Sequence, residues 1–234
     1  LGILGLIFLC LITYLFSFFF IHDHYFNLVF ILLGLGFFLF YLRHIDDFYY
    51  EFLKFIFVFV LLIFFILVAK NHDDFPYYHF PYIILLTEFN HPIGIGQLNN
   101  GFRSPSSIFF ISSMFYLPKI NFYLFHITPA LILGFSNLIL LNKIYKNLNF
   151  VNDYFINCLS LFCLLFVNIF FYRLAEHGTD RSGMILILVA IIFLLNIINK
   201  DEKMSDQEGI DIIKFFIIFI IFVVTIKPFY LINL

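Results

Sequence analysis

Two adjacent carboxylates open a polar stretch directly after a long apolar run. Residues 71–83 read NHDDFPYYHFPYI, so Asp73 and Asp74 follow a hydrophobic segment that ends at Lys70. A carboxylate beside a hydroxyl group can take its proton as the hydroxyl oxygen attacks, which is general base catalysis. We therefore predict Asp74 as a general base. Asp73 could tune Asp74, hold a divalent cation or be the base itself.

The same residues have a structural interpretation. Aspartate is a favoured N-cap and proline fits the first helical turn, so one or both carboxylates could cap a short helix begun by Pro76. His72 and His79 could join the aspartates in a site for a divalent metal, since carboxylate and imidazole are both metal ligands. No HExxH pair supports that site. We predict no definite metal centre and keep a divalent cation as an open alternative.

Cationic side chains elsewhere could stabilise an anion that develops in a reaction. Lys227 ends an apolar run, where an ammonium group is costly unless it finds a partner or the membrane interface. Snorkelling to lipid headgroups is the competing role for Lys227, and lipid phosphate is the competing partner for Arg103. The candidates for contact with a negatively charged group are Arg103, His79, Arg181 and Lys227.

Other polar residues have both a functional and a structural interpretation. Tyr78 and its neighbours Tyr77 and Tyr82 could stack on a sugar ring, but tyrosine is also common at membrane interfaces. Asp180, with Glu176 and His177, could form a second wall of a site, or cap a helix. The segment GIGQLNNG matches neither GxGxxG nor a P-loop, so we interpret it as a turn.

The composition places these residues in a membrane protein. The chain is 63% hydrophobic and 12% charged, contains 39 Phe, and has a mean hydropathy of +1.02. These values lie outside the range of soluble domains. The net charge of -2 excludes a polybasic surface, so we expect membrane lipid and not nucleic acid as a partner.

The apolar runs predict an all-α fold, a polytopic transmembrane helical bundle of about seven spans, since about 20 apolar residues cross a bilayer. The predicted spans are 1–20, 27–43, 53–70, 121–142, 153–172, 183–199 and 211–227. The run SSIFFISSMFY, 106–116, is too short and contains serines. It predicts a membrane-surface or re-entrant helix.

The charge of the connecting segments predicts the orientation. If 106–116 does not cross, one side carries Arg43, Lys143, Lys146, Lys200 and Lys203 in short loops, which indicates the cytoplasm. The opposite side then carries most histidines and the polar segment 71–120. We predict one transmembrane domain over 1–234, truncated at both ends, with 71–120 as an extracytoplasmic loop carrying short interfacial helices.

The pattern of this loop resembles the GT-C superfamily of multi-pass membrane glycosyltransferases, and most closely a set of poorly characterised bacterial membrane proteins of that type. The residues that carry the resemblance are Asp74, Tyr78 and His79 in HDDFPYYHFPYI, then Gly96, Asn99, Arg103 and Ser107 in GIGQLNNGFRSPSS. The segments EHGTDRSG, with Asp180, and TIKPF, with Lys227, are also similar.

The resemblance implies transfer of a sugar from a polyprenyl-phosphate carrier to an acceptor at the outer surface of a bacterial inner membrane. Asp74 or Asp73 would be catalytic. Substrate would bind at His79, Tyr78, Arg103, Asp180, Arg181 and Lys227. The alternative is a polytopic transporter or flippase for a lipid-linked or small polar substrate. A transporter would place charges in the middle of its spans, whereas the charges here lie at the span ends.

Overall fold

The computed structural model describes residues 2–42, 48–67, 73–147, 154–172, 178–198 and 206–229. These residues are almost entirely helical, and no strand occurs among them. The prediction of an all-α fold is therefore confirmed for the described part of the chain. The α-helices are α1 Gly2–Ser17, α2 His24–Leu42, α3 Phe48–Ile66, α4 Phe80–Glu88, α5 Ser107–Ser113, α6 Ile127–Asn147, α7 Tyr154–Phe170, α8 Thr179–Ile198 and α9 Asp206–Ile226.

The long apolar runs of the sequence form the long helices α1, α2, α3 and α6 to α9. Among the described residues, the segments Phe122–Tyr145 and Thr179–Ile198 are long and apolar enough to cross a bilayer. This supports membrane association. The other apolar helical segments are shorter, and they are Gly2–Ser17, His24–Phe40, Phe52–Ile66, Tyr154–Phe170 and Ile213–Ile226.

Large apolar side chains are exposed along several of these helices. Phe37 on α2 and Phe64 on α3 are 74% and 65% exposed, and Phe162 on α7 is 62% exposed. Soluble monomers rarely leave such large apolar surfaces open to water. The exposed phenylalanines are a second observation in favour of a lipid environment.

The chain divides into two compact units. The loop unit comprises Phe8–Leu131 and Arg173–Gly178, and the helix-pair unit comprises Leu1–Ile7, Ile132–Tyr172 and Thr179–Leu234. The loop unit contains the acidic pair and most of the polar segment 71–120. The helix-pair unit contains Asp180 and Lys227.

The helix-pair unit is built around α8, which packs along α9 and against α7. Val189 and Phe219 are fully buried in its core, and the Phe193 ring lies edge-on to Phe215 and Phe219 with centroids 5.5 and 6.0 Å apart. The amides of Asn137 on α6 and Asn168 on α7 exchange two hydrogen bonds, of 3.0 and 2.9 Å. Asn168 is a polar residue inside a predicted span, and these bonds give its side-chain amide hydrogen-bond partners within the protein.

The loop unit is centred on α4 packed against α5. Its hydrophobic core, in which aromatic rings predominate, is formed by Tyr82, Ile83, Leu86, Phe109, Phe110 and Phe125. This core fixes the short helices of the loop, because its aromatic rings pack with centroids 5.5 to 6.1 Å apart. The segment 71–120 is thus a folded element with its own packed interior.

Helix α5 lies within the run predicted as a membrane-surface or re-entrant helix. All seven residues of α5 are buried, so α5 lacks the exposed polar face that a membrane-surface helix keeps. The re-entrant alternative stays a prediction. The serines that suggested an interface are internal hydrogen-bonding groups. Ser112 donates to the Thr128 hydroxyl at 2.9 Å, and Ser113 donates to the Phe110 carbonyl oxygen at 2.8 Å. Because these bonds satisfy the hydroxyls, the helix can be covered by protein on every side.

A buried polar cluster fixes the start of α2 to the end of α5. The Asn27 side-chain amide donates to the carbonyl oxygens of His22, Ser113 and Tyr116 at 2.9, 2.9 and 3.1 Å. His22 Nδ1 lies 2.6 Å from Ser113 Oγ. The Asp23 carboxylate caps α2 by accepting from the Phe26 amide at 2.7 Å. These bonds connect segments about ninety residues apart in the sequence.

Candidate functional site

The acidic pair lies at the start of a π-helical turn, Phe75–His79. Single π-helical turns are frequent at functional sites because they shift side chains out of the usual helical spacing. Asp74 occupies the N-cap position, but its side chain makes no capping hydrogen bond. The Asp74 carboxylate therefore does not have the capping role that the sequence suggested for it.

Asp73 and Asp74 differ in exposure and contacts. Asp73 is exposed and Asp74 is half-buried. The Tyr78 hydroxyl, one turn further along, lies 3.5 Å from Asp74 Oδ2, at the outer limit for a hydrogen bond. A carboxylate that is partly shielded from water and near a phenol suits the role of base better than a fully hydrated one.

The second part of the loop packs directly against this turn. The Asn99 side-chain amide donates to the Tyr77 carbonyl oxygen at 3.1 Å, and the Asn99 oxygen accepts from the Gly101 amide at 2.8 Å. Gly101 lies against the Tyr78 ring so closely that a Cβ atom there would come within 2.5 Å of it. The segments that contain Tyr78 and Asn99, both of which carry the resemblance, are therefore packed against each other.

His79 occupies a different environment from its neighbours. It is only 3% exposed, and its ring lies 4.3 Å from the Tyr78 ring and 5.3 Å from the Phe109 ring. A side chain so enclosed by aromatic groups contributes first to packing. Direct binding of substrate by His79 stays a prediction.

A groove of about 470 Å³ lies beside this region of the loop unit. That volume is within the range of small-molecule sites, about 300–1,000 Å³. The groove is lined by Tyr82, His91, Pro92, Ile93, Gly94, Ile95, Gly96, Gln97, Phe102, Arg103 and Pro105. Two residues with a predicted role in substrate contact line this groove: Arg103, and Tyr82, which could stack on a sugar ring.

The glycines of GIGQLNNG shape this groove. Gly94 has a φ of +85°, a left-handed conformation that other residues adopt only with strain. At Gly96 a Cβ atom would lie 3.2 Å from Arg103 Cα and Cγ, and Arg103 Nε donates to the Gly96 carbonyl oxygen at 3.4 Å. The segment is thus a turn, as predicted, and its close packing also positions Arg103.

The helix-pair unit contains the other predicted residues. Asp180 lies in the first turn of α8, and Lys227 directly follows α9. Lys227 Nζ forms a salt bridge with Asp180 Oδ1. Each charge also has the sign that the end of its helix favours. The sequence predicted both residues for substrate binding, and the structure places them in contact with each other. Arg181 is half-buried beside them in α8.

Asp74 belongs to the loop unit, whereas Asp180 and Lys227 belong to the helix-pair unit. His72, Glu176 and His177 lie outside the described residues. Within the described ranges, no group of three or more His, Cys, Asp or Glu side chains is arranged to hold a metal ion.

His91 lines the groove and is anchored to α1, although it was not among the predicted site residues. Its Nδ1 atom lies 3.0 Å from Ser17 Oγ, and its amide donates to the Ser17 carbonyl oxygen at 2.6 Å. Its ring stacks on Phe18 with centroids 4.2 Å apart. The available signal was that His91 directly precedes Pro92 and a glycine-rich turn. Its hydrogen-bond partner Ser17 lies 74 residues away in the sequence.

Comparison with known proteins adds a family and no activity. No curated protein matches the chain, and no solved structure matches it. One family model, described as "Domain of unknown function (DUF8201)", matches residues 2–234 and so covers nearly the whole chain. The protein belongs to this family, DUF8201.

Proposed function

We propose that this protein is a membrane glycosyltransferase of the GT-C type, which transfers a sugar from a polyprenyl-phosphate carrier to an acceptor hydroxyl. The observation that carries the proposal is the packing of the Asp74–Tyr78 turn against Asn99 and Gly101, next to a groove lined by Arg103. A half-buried carboxylate, a phenol and a guanidinium thus occur within one folded loop.

The proposed architecture is a bundle of about seven transmembrane helices formed by α1, α2, α3 and α6 to α9. Short loops rich in Lys and Arg would face the cytoplasm of a bacterial cell, and the segment 71–120 would lie outside the inner membrane. The lipid tail of the donor would lie between helices, with the reacting groups at the outer surface. The exposed phenylalanines of α2, α3 and α7 support the lipid contact of this arrangement.

In the proposed reaction Asp74 takes the proton of the acceptor hydroxyl as its oxygen attacks the anomeric carbon of the donor sugar. The new carbon–oxygen bond forms on the face opposite the phosphate. The bond from the anomeric carbon to the phosphate oxygen breaks, and polyprenyl phosphate leaves with the bonding electrons. This direct displacement inverts the anomeric configuration.

The leaving phosphate gains negative charge, which a guanidinium stabilises strongly because it can form paired hydrogen bonds. Arg103 is the candidate for this role in the loop unit, and Tyr78 is the candidate for contact with the sugar. Lys227 has three N–H donors, so its pair with Asp180 leaves room for a phosphate contact as well. Arg181 would act in the same region as Lys227.

The test is transfer of radiolabelled sugar from polyprenyl-phosphate donors in membranes that contain the full-length protein. We expect Asp74→Asn to lower the transfer rate about 100- to 10,000-fold, the usual contribution of a general base. Asp73→Asn should lower it less, because Asp73 is exposed whereas Asp74 is half-buried. Glu88→Gln is a matched control, since Glu88 is an exposed carboxylate of the same loop unit.

Equal transfer by wild type and Asp74→Asn would remove Asp74 as the base. A large loss in Asp73→Asn alone would move that role to Asp73. If every donor fails with a folded wild-type protein, the transporter or flippase alternative gains weight, and transport of the same lipid-linked sugars across proteoliposomes becomes the measurement.

A further inference from the structure

The hydrogen bond between Ser17 and His91 determines which imidazole nitrogen carries the proton. The Ser17 hydroxyl lies 2.6 Å from the Tyr14 carbonyl oxygen, which can only accept, so the single hydroxyl proton is directed there. Ser17 Oγ must then accept at its 3.0 Å contact with His91, and Nδ1 of His91 is the donor. A neutral imidazole with a proton on Nδ1 has an acceptor lone pair on Nε2.

The surroundings keep the His91 ring neutral. Its ring is enclosed by Phe18, stacked at 4.2 Å, and by Phe110, stacked at 5.7 Å. Burial lowers the pKa of His91 below its ordinary value of 6.5. Tyr14 lies edge-on at 5.5 Å, and Tyr82 and Arg103 line the same groove. The ring is therefore an oriented hydrogen-bond acceptor at neutral pH.

His91 and Arg103 give the groove two complementary groups. Among the described residues, His91 Nε2 has no hydrogen-bond partner. It is also not one of the buried side-chain atoms that lack a partner, so it is accessible to a ligand. Arg103 uses Nε for the Gly96 carbonyl oxygen, and its side chain is exposed. Its terminal nitrogens are the atoms best placed to bind an anion as a fork. One side of the groove thus accepts from a hydroxyl group, while another donates to a negative group.

Two large aliphatic side chains of the loop that forms the groove are strongly exposed. Ile93, which lines the groove, is 83% exposed, and Leu98 in the same loop is 84% exposed. Large aliphatic side chains this exposed cost free energy in water and suit a membrane surface or a lipid chain. A ligand for this groove would therefore carry hydroxyl groups, an anion and an apolar chain.

We infer that the groove binds the phosphosugar headgroup of a lipid, with a sugar hydroxyl donating to His91 Nε2 and the phosphate held by Arg103. Ile93 and Leu98 contact the first isoprenoid or acyl carbons. Ser17 acts as a positioning residue that fixes the imidazole tautomer. This inference rests on the proposed function for the choice of a phosphosugar, and it adds a residue and a location that the proposal did not contain.

The test is equilibrium binding to the purified full-length protein in detergent, followed by ligand-observed NMR. The probes are a hexose 1-phosphate, inorganic phosphate, a neutral methyl hexoside and a short-chain prenyl phosphohexose. Two variants separate the imidazole nitrogens. His91→Asn retains a donor near the position of Nδ1 and loses the position of Nε2, whereas His91→Gln retains a polar group near Nε2.

We expect His91→Asn to weaken binding of hexose 1-phosphate about tenfold, the effect of one lost hydrogen bond in a partly dry site. His91→Gln should retain most of the affinity. Arg103→Ala should weaken binding of hexose 1-phosphate and of inorganic phosphate by about 10- to 100-fold, since its bonds are charge-assisted. Inorganic phosphate should not respond to His91→Asn.

Equal binding of hexose 1-phosphate by wild type, His91→Asn and Arg103→Ala would overturn the inference. A lipid-linked ligand is supported if the prenyl phosphohexose binds more strongly than the free hexose phosphate and the double variant Ile93→Ser, Leu98→Ser removes this difference. Equal affinity of the wild-type protein for the two probes would overturn the assignment of a lipid-linked ligand. The melting temperature of each variant shows that it is folded. Intact binding without sugar transfer would contradict the proposed glycosyltransferase and leave the groove assignment standing.

Discussion

Two histidines of the loop unit are anchored in the same way and have different surroundings. In each case a serine hydroxyl near the end of a helix donates to the carbonyl oxygen three residues earlier and contacts a histidine Nδ1. The pairs are Ser113 with His22, at 2.6 Å, and Ser17 with His91, at 3.0 Å. His22 is completely buried, whereas His91 lines a groove.

The comparison shows that an oriented imidazole is not by itself a functional group. The His22 ring is enclosed by protein, so its hydrogen bond can only stabilise the junction of α2 and α5. The His91 ring has the same anchor and an open side, so the fixed tautomer has a consequence for a ligand. Accessibility, and not the anchor, separates the structural histidine from the candidate binding residue.

The largest expected effect is on the buried cluster around His22, which has a structural role. Asn27→Ala removes the amide that donates to the carbonyl oxygens of His22, Ser113 and Tyr116 in a fully buried position. We expect a loss of about 3 kcal/mol in the free energy of unfolding, since several buried acceptors lose a donor. Denaturant unfolding in detergent measures it. Asn100→Ala, at an exposed position, is the control and should be nearly neutral.

A pH series tests His22 in a second way. Burial lowers the pKa of His22 from 6.5 to about 4, so the unfolded chain binds a proton more readily than the folded one. We therefore expect the contribution of His22 to the free energy of unfolding to be fully present above pH 6.5 and to be lost as the pH decreases towards 4. The shift corresponds to a loss on the order of 3 kcal/mol, at about 1.4 kcal/mol per pKa unit. His22→Gln should flatten this dependence; an unchanged slope would show that another group causes it.

A pair of matched serine variants separates the two roles directly. Ser113→Ala should lower the free energy of unfolding by about 1 to 2 kcal/mol, because it removes a buried hydrogen bond, and leave phosphosugar binding unchanged. Ser17→Ala should weaken that binding a few-fold with a smaller change in stability, because the ring loses its fixed tautomer. Ser17→Thr should restore binding. The reverse pattern, with binding lost in Ser113→Ala, would contradict the assignment.

The smallest expected effect is in the helix-pair unit. Lys227→Gln removes a salt bridge whose two side chains are 35% and 54% exposed. Exposed pairs contribute about 0 to 1 kcal/mol, so the melting temperature should change by no more than about 2 to 4 °C. If Lys227 also binds the leaving phosphate, sugar transfer will fall far more than stability. An equal, small loss in both would restrict Lys227 to the salt bridge.

The positions of the long helices could be predicted from the sequence, whereas the contacts between them could not. A run such as 183–199 predicts α8 because sustained hydrophobicity determines where a helix forms in lipid. The serines of α5 favoured a membrane-surface or re-entrant helix, and the sequence could not show that Ser112 and Ser113 have internal hydrogen-bond partners. The role of His91 depends on Ser17, which is distant in sequence, and no local pattern reports such a pairing.

The candidate site was predicted in part. Asp74, Tyr78, Asn99 and Arg103 were identified from one loop, and the structure packs their segments together. The sequence did not predict that Asp180 and Lys227 bind each other, since a salt bridge across 47 residues requires the packing of α8 along α9. Nor could spacing alone reveal that His79 lies inside an aromatic core.

The paired amides of Asn137 and Asn168 have a consequence for assembly. Each amide supplies one donor and one acceptor to the other, so both bonds form only when α6 and α7 are aligned at one register. Sliding either helix by a single residue would break both bonds at once and leave the amide groups without these partners. The asparagine pair therefore favours one alignment of α6 with α7 over its neighbours in register.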